Sequence, residues 1–334
     1  MNKIFAFLVA FCLSLTYSAA KGKLQDERVV VAYVTSWSQV MPDPFCMTHI
    51  NYAFGGVNKT FSGVDISNPD RLRAIVRLKA QNPSLRVMLS IGGWGSGRFS
   101  EMVTDPHLRQ LFCEDCRRIV DDYGLDGIDI DWEYPGNPGG GISYAPTDKD
   151  NFSLLMRDLR QALGTDRLLT LATAATGGFY DFPAFVEYVD FVNMMTYDMG
   201  SAPRHHATLF NSGRFEGTCC QKALQAHLDL GVPARKLTLG MPFYGRGTNE
   251  VGNFCDYSRI IELTQFRKQW DKEARVPYLT DDEGRVVMGF DDARSLKIKC
   301  RYARRQGLKG VMYWDYNGDD SQGTLRKCVW KAMR

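Results

Sequence analysis

The chain has 334 residues, 44% of them hydrophobic and 24% charged, which are ordinary values for a globular protein. Its formal net charge at pH 7 is only +3, so charge gives no support to nucleic-acid or anionic-membrane binding. The first twenty residues place Lys3 before an apolar stretch from Ile4 to Leu15 and end in Ser18, Ala19 and Ala20. This predicts a signal peptide over residues 1–20, a single domain over residues 21–334, and export to an extracellular or periplasmic space. No later stretch is apolar and long enough to span a bilayer, so no membrane anchor is expected.

From residue 29 onward, short apolar runs alternate with longer helix-patterned stretches. Strands are predicted at Val29–Val34, Thr48–Phe54, Leu85–Ser90, Gly127–Trp132, Leu168–Ala172, Phe191–Met195, Lys236–Pro242 and Gly310–Trp314. Eight strands joined by helices fit an α/β fold of the (β/α)8 TIM-barrel type better than an open sheet. Among the helices, Asp70–Gln81 carries Leu72, Ile75, Val76 and Lys79 on one face. Thr147–Leu163 carries a stripe of Phe152, Leu155, Met156, Leu159 and Leu163 behind a start, Thr147 to Asp150, that resembles a capped N-terminus. Gly247–Gly289 interrupts the pattern between the seventh and eighth strands with a helical piece near Arg259–Lys268 and a turn at Asp281–Gly284. It reads as an elaborated barrel loop, a short or reduced insertion and not a second domain.

Of nine cysteines, Cys12 falls in the leader, and the other eight show no disulfide framework. Cys219 and Cys220 are adjacent, and Cys113 and Cys116 lie on a helix-patterned stretch where Cys116 reads as core. No second CxxC or paired histidines complete a zinc site, and no metal is expected. In the loop after the sixth strand, Gly200–Thr218, adjacent His205 and His206 point to different sides, which argues against a metal there, and the loop with Arg204, His205 and His206 reads as a rim contacting substrate.

The most informative run is Leu125 to Pro135, in which acids alternate with large apolar residues. A period of two puts Asp129, Asp131 and Glu133 on one face of a strand and Ile128, Ile130 and Trp132 on the other. Unpaired charges in a low-dielectric interior are costly, so three aligned carboxylates imply shared protons and a raised pKa on at least one. A carboxylic acid held protonated near neutral pH is what a general acid requires. In a barrel of this kind chemistry gathers at the C-terminal ends of strands. Those ends read Ser90-Ile91-Gly92-Gly93-Trp94, Met195-Thr196-Tyr197-Asp198, Met241-Pro242-Phe243-Tyr244-Gly245-Arg246 and Tyr313-Trp314-Asp315. Aromatic rings at a cleft mouth suit pyranose rings, whose apolar faces stack while their hydroxyls find polar partners.

Together these motifs resemble the family-18 glycoside hydrolases, and specifically their chitinase branch. The resemblance runs through Tyr33, Asn51 to Phe54, the Ser90-x-Gly92-Gly93 motif, Asp126-x-x-Asp129-x-Asp131-x-Glu133, Met195-x-Tyr197-Asp198 and Trp314. It implies retaining hydrolysis of chitin or chito-oligosaccharides without a cofactor and without an enzyme nucleophile, the substrate's acetamido group assisting. Glu133 would be the acid, Asp131 would hold the acetamido N–H, and Asp129 would share a proton with Asp131. Tyr197 and Asp198 would complete the pocket. Trp314 would floor the sugar at the cleavage point, and Tyr33, Phe54, Gly93, Trp94, Met195, Tyr244 and Arg246 would bind substrate. Ser90, Gly92 and Asp126 would give structural support, Asp126 at the start of its strand. The reduced insertion implies a shallower cleft and endo-type cutting by a monomer. Two other functions fit the same motifs: an endo-β-N-acetylglucosaminidase acting on glycoprotein glycans, and a non-catalytic chitin-binding lectin. The lectins typically lack the terminal acid that Glu133 supplies here.

Overall fold

The computed structural model describes residues 28–334, so the expected signal peptide lies outside the described residues. The eight predicted strands are present as Val29–Thr35, His49–Val57, Arg86–Gly92, Gly127–Asp131, Leu168–Ala174, Phe191–Met195, Leu237–Pro242 and Gly310–Trp314. All are parallel, each pairs with its neighbour in the chain, and the first pairs with both the second and the eighth, which closes the barrel. Alternation sorts the side chains of each strand. In the first strand Val30, Ala32 and Val34 join the outer core beneath the helices, while Val29, Val31 and Tyr33 join a smaller cluster with Ala172, Phe191 and Met312. Among the described residues no helix is long and apolar enough to cross a membrane.

The helices are held by recognisable end signals. The helix Pro106–Tyr123 starts at Asp105, whose carboxylate accepts from the His107 and Leu108 amides, and stops at Gly124 in the left-handed region. Cys116 and Cys113 are buried on its inner face, and all eight cysteines among the described residues are free. The predicted Asp70–Gln81 helix is an α-helix over Pro69–Val76 that tightens to a 3-10 turn over Arg77–Ala80. In Asp148–Leu163 the Thr147 side chain does not cap. The Asp148 carboxylate accepts instead from Ser100 Oγ at 2.7 Å and from the Ala145 and Gly136 amides, pinning the loop that follows Glu133.

The insertion is short, as expected, but it is not a loop with a helical piece. Tyr244–Gly247, Cys255–Asp256, Arg267–Asp271, Val276–Thr280 and Val286–Gly289 form a five-stranded antiparallel sheet. Only Tyr257–Ile260 is helical there, and the rest of the predicted helix runs into an edge strand. Arg267, Lys268 and Gln269 all face solvent, so that strand has no apolar face to announce it. The turn at Asp281–Gly284 is present, and Asp281 accepts from the Arg285 amide at 2.8 Å.

One glycine couples the fold to the site. Gly92 has φ +127°, and a Cβ there would lie 2.0 Å from the Asp131 carbonyl oxygen on the neighbouring strand. Gly92→Ala is therefore expected to cost ~3 kcal/mol or more, since strained backbone and a backbone clash coincide. Denaturant unfolding would read this directly; a loss under ~1 kcal/mol would show that the strand pair yields easily.

Candidate active site

The acids stand where the fourth strand reaches its C-terminal end. Asp129 is fully buried and accepts four hydrogen bonds: from Tyr33 Oη at 2.8 Å, Ser90 Oγ at 2.9 Å, Thr170 Oγ1 at 2.5 Å and Asn193 Nδ2 at 3.3 Å. Each donor comes from a different barrel strand, and Thr238 Oγ1 supports the last by donating to Asn193 Oδ1 at 2.7 Å. Burial raises the Asp129 pKa and the four donors oppose it. Its charge in turn disfavours ionisation of Asp131, although its oxygens are occupied by the donors.

Asp131 is buried, and its Oδ1 has no hydrogen-bond partner. Burial pushes its pKa well above the carboxylate range, and the charges of Glu133 and Asp129 push it further. An orphaned buried carboxylate oxygen is expensive and requires an explanation. Glu133 follows just past the strand, and its pKa is raised from 4.5 to about 7. Burial is the main cause, a hydrogen bond from Tyr134 opposes it, and Asp198 adds to it. Trp132, between the two acids, turns outward and stacks on Phe99 at 5.2 Å, which anchors the strand end in the outer core.

The other strand ends converge on these acids. Glu133, Tyr134, Met195, Tyr197 and Asp198 line one cavity of about 240 Å³. Tyr197 packs edge-on to Tyr244 at 6.1 Å. Asp198 sits at φ +55° in the left-handed region that Asp tolerates, and its carboxylate is gripped by Arg246 through two contacts of 2.6 Å. Burial works against its charge, but Arg246 and His206 outweigh that and hold its pKa far below the usual range. Trp314 lies parallel to Phe54 at 5.5 Å, tilted against Tyr33 at 5.8 Å and Trp37 at 6.4 Å. Trp37 and Trp94 are 62% and 67% exposed, the most open large apolar side chains among the described residues.

Three sequence expectations need correction. Tyr33 is buried with its hydroxyl committed to Asp129, so it belongs to the Asp129 cradle and not to a substrate surface. Gly93 serves the floor indirectly: a Cβ there would lie 2.6 Å from the Phe54 ring, so its lack of side chain admits that ring beneath Trp314. His205 and His206 are not rim residues, being 2% and 1% exposed. They do diverge, His205 toward Asp271 at 3.2 Å and His206 toward Asp198 at 3.5 Å. Asp126 is where it was expected, at the start of the fourth strand, salt-bridged to Lys79 and Arg86 and accepting from the Val87 amide. Sequence reasoning missed Trp37, Tyr134, Thr170 and Asn193. Trp37, two residues past the end of the first strand, and Tyr134, inside the acidic run, carried a readable signal, and Thr170 and Asn193 did not.

A closed eight-stranded barrel with a carboxylate row and aromatic rings at the C-terminal strand ends places the chain in the (β/α)8 class, with its candidate site at the face where such barrels carry theirs. The sequence profile of Glycosyl hydrolases family 18 matches residues 29–319, and the chain belongs to that family. It is 31% identical to Chitinase A1 of Niallia circulans over 91% of this chain and 49% of that protein, so it spans about half of that relative. It is 30% identical to Chitotriosidase-1 of Mus musculus, over 89% of this chain and 74% of that protein. Among solved structures it resembles a family 18 N-acetylglucosaminidase from Paenibacillus barengoltzii, with TM-score 0.84, 32% identity, and coverage of 92% of this chain and 100% of that one. The Ostrinia furnacalis Group IV chitinase gives TM-score 0.83 at 27% identity, covering 92% and 100% of the two chains.

Proposed function

We propose that the protein is a chitinase, exported after removal of residues 1–20, that hydrolyses β-1,4 linkages of N-acetylglucosamine chains with retention of configuration. The observation that carries this reading is the buried, unpartnered Oδ1 of Asp131 beside a Glu133 whose pKa is near 7. An acetamido N–H donating to Asp131 would satisfy the orphan and aim the amide carbonyl at the anomeric carbon.

The steps follow from these positions. The Glu133 carboxyl gives its proton to the glycosidic oxygen as the C1–O bond breaks, and the substrate's acetamido oxygen forms the new bond to C1. Asp131 holds the amide nitrogen and offsets the positive charge of the resulting oxazolinium. Water then adds to C1 as the bond between C1 and the acetamido oxygen breaks, and gives a proton to the Glu133 carboxylate, which restores both the acetamido group and the acid. Tyr197 donates to the amide oxygen, Asp198 accepts from a sugar hydroxyl, and Trp314 stacks beneath the ring. Trp37 and Trp94 extend the stacking surface.

A time course on chitohexaose tests this. Cleavage with initial β-anomer products is expected, and α-anomer products or intact hexamer would overturn it. The similarity to the P. barengoltzii N-acetylglucosaminidase favours a second reading, release of single sugars from chain ends. Products from the first minutes separate the two, monomer alone supporting the second and mixed oligomers the first.

A further inference from the structure

We propose that His206 is a positioning residue that holds one oxygen of Asp198 so that the other is presented to substrate. The proposal rests on the functional reading above for what Asp198 does, and on local geometry for His206 itself. His206 is 1% exposed, and neither ring nitrogen has a hydrogen-bond partner within ordinary reach. The equally buried His227 shows what a structural imidazole does in this protein: Nε2 meets Thr173 Oγ1 at 3.0 Å and Nδ1 meets the Ala223 carbonyl at 2.8 Å. An apolar side chain would fill the His206 site without the cost of two buried orphan nitrogens.

The nearest acid partner explains the choice. His206 Nδ1 lies 3.5 Å from Asp198 Oδ1, the same oxygen that receives Arg246 Nε, while Arg246 Nη2 takes Oδ2. A carboxylate offers about four acceptor positions, two to each oxygen. Arginine takes one on each oxygen and His206 faces what remains of Oδ1, so the side open to substrate is that of Oδ2, and the Tyr244 hydroxyl also interacts with this carboxylate. A contact of 3.5 Å is long for a hydrogen bond, and such contacts tighten when substrate orders a site.

The ring cannot drift. It packs against Tyr244 at 5.3 Å, and the His206 carbonyl accepts from the Met199 amide at 3.0 Å. The next carbonyl, of Ala207, accepts from Lys299, itself paired with Asp291 in a fully buried contact. Leu209 donates to the Ala274 carbonyl of the insertion, so the segment carrying His206 is fixed to barrel and insertion alike.

Two measurements test the proposal. At one fixed pH, the Nδ1 15N resonance of His206 should move on Asp198→Asn, and the Nε2 resonance should move less, because the contact being altered is at Nδ1. On chitohexaose, His206→Phe should lower kcat about tenfold with KM changed less than about threefold, and His206→Asn, which can present an amide N–H to Oδ1, should recover most of the loss. An unmoved Nδ1 resonance, an unchanged kcat in His206→Phe, or an Asn variant no better than Phe would each overturn it. If the wild type fails to cleave the hexamer, the functional reading falls. The Nδ1 resonance still decides the His206–Asp198 contact, including when the Phe variant does not fold.

Discussion

Glu133→Gln is expected to lower kcat on chito-oligosaccharides by ~10³-fold or more while leaving oligosaccharide binding nearly intact. The amide preserves the shape of the side chain but has no proton to give the leaving oxygen and no charge with which to activate water. Because Glu133 is raised to about 7, the wild type should keep its acid protonated below neutral pH, hold about half of it protonated near pH 7, and lose it above. The sign is fixed by the role: the acid form is the reactive one, so kcat/KM should fall about tenfold per unit as pH rises past the midpoint. Asp131 and Glu133 titrate as neighbours, so this alkaline limb belongs to the pair. A variant that retains a tenth of wild-type kcat, or a wild-type alkaline limb that begins near pH 5, would remove Glu133 from the acid's role.

The barrel was readable because its strands are short, strongly apolar and separated by helices of clear period, features that a single chain carries locally. The acidic strand was readable for the same reason: the alternation of Asp129, Asp131 and Glu133 with Ile128, Ile130 and Trp132 is written in consecutive residues. The cradle around Asp129 was not. Thr170 and Asn193 are ordinary polar residues inside apolar strands, and only barrel closure brings them, 41 and 64 positions away, onto one carboxylate. His206 was misplaced because a polar loop after a strand normally faces solvent. Here the insertion's sheet covers it, and that sheet was itself hidden by an exposed, charged edge strand at Arg267–Asp271. The Thr147 start looked like a cap by composition, but tertiary contacts drew the neighbouring Asp148 to Ser100 and Ala145, and the Thr147 hydroxyl caps no backbone amide and accepts only from the Asn151 side chain at 3.4 Å. What sequence missed is thus mostly contact between distant segments, and those contacts are what orient the acids.

Asp131→Asn is the second substitution with a large expected effect, a loss of ~10²–10³-fold in kcat with the fold retained. In the resting protein burial, the unpartnered Oδ1 and the neighbouring acids Glu133 and Asp129 all oppose a charge on Asp131 and favour its neutral form. Replacing it by a neutral isostere should therefore leave stability unchanged or raise it, since the charged form is what burial penalises. Catalysis should respond in the opposite direction, because an amide can orient the acetamido group but cannot offset the positive charge that forms on it. Activity and stability moving apart would mark Asp131 as a residue whose cost in the folded state is retained for the transition state. A substrate whose reacting sugar carries a free amine in place of the acetamido group supplies the matching test on the other partner. The wild type should fail to cleave at that sugar, and Asp131→Asn should lose little more, since both changes remove the same interaction. Full cleavage of the deacetylated linkage by the wild type would show that the enzyme does not depend on substrate assistance, and the role given to Asp131 would have to be abandoned.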